Sequence, residues 1–103
     1  MSTSASEITA PLAQDVKVTR DALSVRLSDG RMISAPLSWF PRLLHASPEE
    51  RNSWRFIGKG RGIHWGAIDE DISVEGLLAG RGSGESQESL QRWLESRSER
   101  SGR

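Results

Sequence analysis

The sequence predicts a small α+β fold, and three observations carry that prediction. Apolar residues alternate through Leu23, Val25 and Leu27 before Asp29-Gly30, the pattern of a half-buried strand running into a turn. Ser47-Pro48-Glu49-Glu50 combines an N-cap serine, proline at the first helical position and glutamate at the third, which is a capping box. Leu90, Trp93 and Leu94 fall at i, i+3, i+4 in a segment otherwise rich in Ser, Arg and Glu, the spacing of a short C-terminal amphipathic helix. A length of 103 residues allows one domain able to bury a core without disulfide or metal staples.

Taken in order, residues 1–14 are small and polar and read as a disordered segment, residues 15–80 carry nearly all the periodic apolar pattern, and residues 81–103 form a linker with a short helix and tail. Val16 and Val18 suit a first short strand. Leu23 to Leu27 and the residues after Asp29-Gly30 form a hairpin whose register is decidable. A two-residue loop sets Ser34 opposite Val25 and mixes polar with apolar residues on one face. A three-residue loop with Gly30 in a left-handed bulge position pairs Val25 with Ile33 and Leu23 with Ala35, keeping the faces in phase. Pro36 ends the strand. Ser38 is placed to cap a short helix with Leu37, Phe40, Leu43 and Leu44 on one side and Pro41 in its first turn. The capping-box helix extends one to two turns before Trp54, Phe56 and Ile57. Ile63 and Trp65 alternate around His64 as another strand, and Ser73 caps a last helix carrying Val74, Leu77 and Leu78, closed by Gly80. Arg81-Gly82-Ser83-Gly84-Glu85 reads as a flexible linker.

Composition narrows the classes of function. The chain has no cysteine, which removes disulfides, thiolate metal sites and thiol nucleophiles and is compatible with a reducing compartment. No apolar run approaches the roughly 18 residues that span a bilayer, and the N-terminus lacks a basic n-region and an apolar h-region. Cytoplasm is the expected location. Fourteen basic residues balance fourteen acidic ones, so there is no broad positive field to drive nonspecific nucleic-acid binding.

Four local features bear on chemistry. Gly58-Lys59-Gly60-Arg61-Gly62 offers backbone N–H groups and two cations, yet it lacks the Gly-Lys-Ser/Thr ending of a phosphate-binding loop and precedes no helix pattern. A plain hairpin loop accounts for it, with Lys59 and Arg61 as the residues for any nucleic-acid contact. Asp69-Glu70-Asp71 with His64 supplies oxygen ligands and a nitrogen, but consecutive residues in regular structure cannot all face one ion. A solvated turn near the following helix is the plainer account. No metal or cofactor is expected. His45 suits the C-terminal end of the first helix. Trp39, Trp54 and Trp65 stand close in sequence to Arg42, Arg55 and Arg61. Large aromatics with arginine stems over them fill the core of a small domain, and Trp–Arg combinations are also enriched at binding hot spots.

The combination of Leu27-Ser28-Asp29-Gly30-Arg31, Pro36-Leu37-Ser38-Trp39-Phe40-Pro41-Arg42-Leu43-Leu44, Arg51-Asn52-Ser53-Trp54-Arg55 with Ile57-Gly58, and Ile63-His64-Trp65 with Asp69 through Leu78 resembles the bacterial domain-of-unknown-function family 2442. The resemblance covers residues of about 15 to 80. It implies a β-meander domain with short helices, no established enzymatic activity and no established ligand. Some relatives carry a helix-turn-helix DNA-binding domain after this module, and others are encoded beside a second small protein in a pattern suggestive of toxin–antitoxin pairs. Gly66 stands where relatives often have proline, and the segment after Gly80 holds one helix rather than a helix-turn-helix.

The expectation is therefore a non-enzymatic protein-interaction module, antitoxin-like or regulatory, in a bacterial protein pair. Contact is expected at Trp39, Arg42, Trp54, Arg55, His64, Trp65, Asp69, Glu70 and Asp71. A nucleic-acid-associated transcriptional regulator using Lys59 and Arg61 is the alternative, and a metal-dependent nuclease the third. The helix of Leu90, Trp93 and Leu94 is too short to persist with its stripe uncovered; the cover is the parent domain, a second copy or a partner, and docking onto another chain is the expectation.

Overall fold

Six short strands and four helices follow one another in the computed structural model, which describes residues 11–101 and side chains through Ser98. Strands β1 (Ala13–Val18), β2 (Ala22–Leu27) and β3 (Met32–Pro36) form one antiparallel sheet with β2 in the middle. Helices α1 (Pro41–Leu44) and α2 (Pro48–Arg51) lead to a second antiparallel sheet of β4 (Trp54–Ile57), β5 (Gly62–Trp65) and β6 (Glu70–Ser73), with β5 central. Helix α3 (Val74–Leu78) follows directly, and α4 (Gln87–Ser101) closes the described chain. The architecture is an α+β fold of two consecutive meanders.

The first hairpin pairs as the three-residue loop requires: Val25 faces Ile33, Leu23 faces Ala35, and Gly30 adopts φ +93°. Leu23, Val25 and Leu27 are essentially inaccessible to solvent. They meet Ile63, Trp65, Ile68, Ile72, Val74 and Leu77 of the second half in one core. Strand β1 begins at Ala13, before the expected domain boundary at Asp15. A bulge between Ala13 and Asp15 lets both Ala13 and Val16 face inward, as an extra residue in one strand does. The rest of the segment expected to be disordered, residues 1–10, lies outside the described residues.

The capping box forms as the sequence indicates. Ser47 Oγ accepts from the Glu50 N–H while Glu50 accepts from the Ser47 N–H. Ser73 likewise caps α3 through the Gly76 N–H. Gly80, at φ +75°, ends that helix with Gly80 N–H donating to Leu77 O and Arg81 N–H to Gly76 O, a Schellman closure.

Three parts of the fold depart from expectation. Ser38 caps nothing: Leu37–Trp39 form a 3-10 turn, and the helix starts at Pro41 with Phe40 before it at ψ 82°. The proline ring excludes the preceding residue from helical conformation, so the two turns cannot fuse, and Leu44 points to solvent instead of joining Leu43. Trp54–Ile57, given no element of its own after the capping-box helix, and Glu70–Ser73, expected as a solvated turn, are strands flanking β5. Only Asp69 of the acidic triplet keeps turn geometry, at φ +55°. The C-terminal helix rests on its own domain through Trp93. The segment before it is anchored by Ser83 N–H donating to Trp39 O and by Glu85 pairing with Arg42.

Candidate functional site

The register of the second sheet sorts the expected contact residues into two faces. Trp54, Trp65 and Glu70 lie opposite one another on the inner face, and Arg55, His64 and Asp71 form the adjacent row on the outer face, because side chains alternate along each strand. Trp65 is fully buried and donates its indole N–H to the Arg51 carbonyl at 3.0 Å. It is a core residue, so its expected role in direct contact is corrected. Trp54 is half-buried against Phe56, with ring centroids 5.0 Å apart. On the outer face the His64 ring bonds Asp71 through Nδ1, which directs Nε2 toward Gly66. Arg55 and Asp71 are exposed on either side of it. This row presents a cation, an oriented imidazole and a carboxylate on one open sheet face.

Glu70 is the residue that sequence reasoning placed least well. Expected in a solvated turn, it keeps only 9% of its surface exposed. Burial pushes its carboxyl up to about 7, against a smaller opposing pull from Arg42. No side chain among the described residues hydrogen-bonds it, and no buried polar atom is sealed away unpartnered. The carboxyl thus keeps some contact with solvent, and the residue borders a neighbouring cleft. That cleft, about 260 Å³, is bounded by Glu70, Asp71, Ile72 and Ser73 of β6, by Phe40, Gly76 and Leu77 beneath, and by residues 81–84 opposite.

Arg42 does not present a free contact. Its guanidinium grips both Glu85 oxygens, at 2.6 to 3.0 Å, donates to the Ile68 carbonyl at 2.9 Å, and lies 5.0 Å from the Trp93 ring centre. Arg97 covers the same ring at 4.6 Å and pairs with Glu50. Hydrogen bonds from Arg42 and Arg97 hold the Glu85 and Glu50 carboxyls below their ordinary range. Leu90, Trp93 and Leu94 are half-buried in this arrangement. Sequence reading missed Glu85, Arg97 and Glu50 as anchors. The signal for Arg97 was its position one helical turn beyond Trp93, and Glu85 was the lone acid in a Gly/Ser segment.

The remaining candidates are dispersed. Trp39 is 39% exposed beside Gly82, and Asp69 is exposed in its turn. Lys59 and Arg61 are exposed in the β4–β5 connection, where Lys59 adopts φ 60°. Gly60 there packs so closely that a Cβ would lie 3.1 Å from Ala13 O, so the glycine serves a close approach of two segments. His45 ends α1, as expected, and its carbonyl accepts from Arg97 at 3.4 Å. Among the described residues no three His, Cys, Asp or Glu side chains cluster to hold a metal ion, and no helix is long and apolar enough to cross a membrane.

Comparison with known proteins gives a consistent picture. No curated protein matches the chain. A crystal structure of a protein of unknown function from Rhodospirillum rubrum matches with 27% identity and a TM-score of 0.66, over 77% of this chain and 98% of that one. An NMR structure of an uncharacterized protein from Chromobacterium violaceum shares the fold, with a TM-score of 0.61 and 20% identity over 79% of this chain and 74% of that one. The profile described as "Protein of unknown function (DUF2442)" matches residues 13–83, from the start of β1 to the strap that holds Trp39, and on that match the chain belongs to the DUF2442 family.

Proposed function

We propose that this chain is a non-catalytic protein-interaction module, the antitoxin-like or regulatory member of a bacterial protein pair, acting in the cytoplasm. The observation that supports this reading best is the outer row of the second sheet. Arg55, His64 and Asp71 lie side by side on one solvent-facing surface, backed by a rigid core through Trp65 and Ile63. A rigid sheet carrying a cation, an imidazole and a carboxylate in fixed order suits a complementary protein surface, because the groups need little ordering on association.

The test is isolation of the complex from the source bacterium with a tagged full-length chain, followed by reconstitution with the purified partner. Arg55→Glu is expected to weaken the reconstituted complex about tenfold or more, chiefly in association rate at low salt. A complex indifferent to charge reversal at Arg55, or a chain that remains without a partner under crosslinking, refutes the reading.

A further inference from the structure

The cleft beside β6 has the attributes of a peptide-docking edge. All four residues of β6 border it, although alternate residues face opposite sides of the sheet. A cleft touching all four must run along the open edge of the strand. The second sheet ends at β6, with β5 on its other side. The Val74 N–H bond to Arg61 O fixes the phase of that pairing: Ile63 bonds Ile72 and Trp65 bonds Glu70, since bonded pairs alternate in antiparallel ladders. Asp71 N–H and C=O and Ser73 N–H therefore point away from β5, into the cleft.

We propose that this edge binds an extended segment of the partner protein by strand addition, with one lysine or arginine side chain entering the cleft to pair with Glu70. The inference rests on the interaction-module reading and deepens it. Strand addition draws affinity from main-chain bonds and specificity from pockets for alternate side chains. The pocket here is sized for one side chain, being smaller than the ~300–1,000 Å³ typical of small-molecule sites. Phe40 and Leu77 offer apolar contact to an aliphatic stem, and the Glu70 carboxyl, buried and without a hydrogen bond among the described residues, takes the charged head. The charges nearby favour a cation. Asp69, Asp71 and Glu85 all act on Glu70, opposed by Arg42, which is already committed to Glu85 and Ile68 O, and Arg81 lies on the rim. Burial pushes the carboxyl up to about 7, so it is partly protonated at neutrality and an arriving cation draws it into its charged form.

A phage-displayed library of random peptides, panned on the full-length chain at mildly alkaline pH, tests this directly. Enriched sequences should share a Lys or Arg at one fixed position between β-branched or aromatic residues. Synthetic versions should bind Glu70→Gln about tenfold or more weakly, the loss expected for a charge-assisted bond. Asp71→Pro, which removes an outward N–H at an edge position that tolerates proline, should abolish binding. In the unaltered chain, the Asp71 and Ser73 amide resonances should shift on titration, a readout that stands even if the proline variant does not fold. No enrichment, enrichment without a fixed basic residue, binding indifferent to Glu70→Gln, or unmoved Asp71 and Ser73 amides each overturn the inference. A reconstituted complex sensitive to Arg55→Glu but indifferent to Glu70→Gln overturns the edge site and leaves the module reading standing.

Discussion

The interior between the sheets and the seat of α4 are both interfaces within one chain, but they are built from different forces. Between the sheets, Leu23, Val25, Leu27, Ile63, Trp65 and Ile72 meet with almost no accessible surface. Under α4, a half-buried tryptophan contacts two guanidinium groups, each tied to a carboxylate. The first interface draws on apolar burial, about 25 cal/mol per Å² removed from water. The second draws on charge-assisted hydrogen bonds and cation–π contacts, which depend on protonation and salt. A small domain can thus possess one part that is committed to its fold and another whose attachment is adjustable by solution conditions.

Four predictions sharpen this contrast. The largest effect is expected at Val25→Asp, which buries an unpaired charge at the centre of β2 and costs on the order of 5 kcal/mol, comparable to a small domain's whole stability. Calorimetry should show no cooperative transition, and a retained transition would place Val25 elsewhere. Arg42→Ala should cost about 3 kcal/mol, because Glu85 is left partly buried without its partner. The change should be seen first as faster amide exchange along α4, with the sheets still protected. Equal acceleration in both regions would mean that the two interfaces are one.

The third prediction concerns pH. The folded chain holds the Glu70 proton up to about 7, above the ordinary carboxylate value, so between roughly pH 4.5 and 7 it binds more protons than the unfolded chain. Stability therefore falls as pH rises through that window. Glu50 and Glu85 act in the opposite sense: their depressed values give stability at neutrality that is lost on acidification. Glu70→Gln should remove the falling limb and stabilise the protein at pH 8 by about 2 kcal/mol, a figure reduced for the solvent that reaches the cleft. A melting temperature as dependent on pH above 5 as in the parent chain would contradict it. The smallest effect is expected at Arg97→Ala, about 1 kcal/mol, confined to α4 and weakened by salt. Denaturant melts at low and high ionic strength check it.

The same contrast explains what was legible in the sequence. The hairpin register followed from keeping Leu23, Val25 and Ile33 in phase, and the caps of α2 and α3 followed from local backbone needs that Ser47, Glu50 and Ser73 meet within a few residues. Strands β4 and β6 were not legible. Arg55 and Asp71 alternate with their apolar neighbours over only four residues, and a strand that short is defined by pairing with β5. The seat of α4 was hidden for a related reason. Arg42 and Glu85 are 43 positions apart and Glu50 and Arg97 are 47 apart, and no periodicity marks such pairs. Of the residues expected at a contact surface, Arg55, His64 and Asp71 share one outer row, whereas Trp65 and Glu70 face inward, an orientation that depends on strand parity.

Arg42 joins four pieces of chain that are distant in sequence: α1, the carbonyl of Ile68 just after β5, Glu85 of the strap, and Trp93 of α4. A residue shared in this way couples local openings, because lifting α4 takes the Trp93 ring from the guanidinium that also holds Glu85 and the turn leading into β6. Occupation of the β6 edge and attachment of α4 are then linked events, and linkage is reciprocal. A segment bound along β6 should disfavour the lifted state of the helix by the same equilibrium factor by which a detached helix weakens that segment, so that α4 reports on an event at the β6 edge.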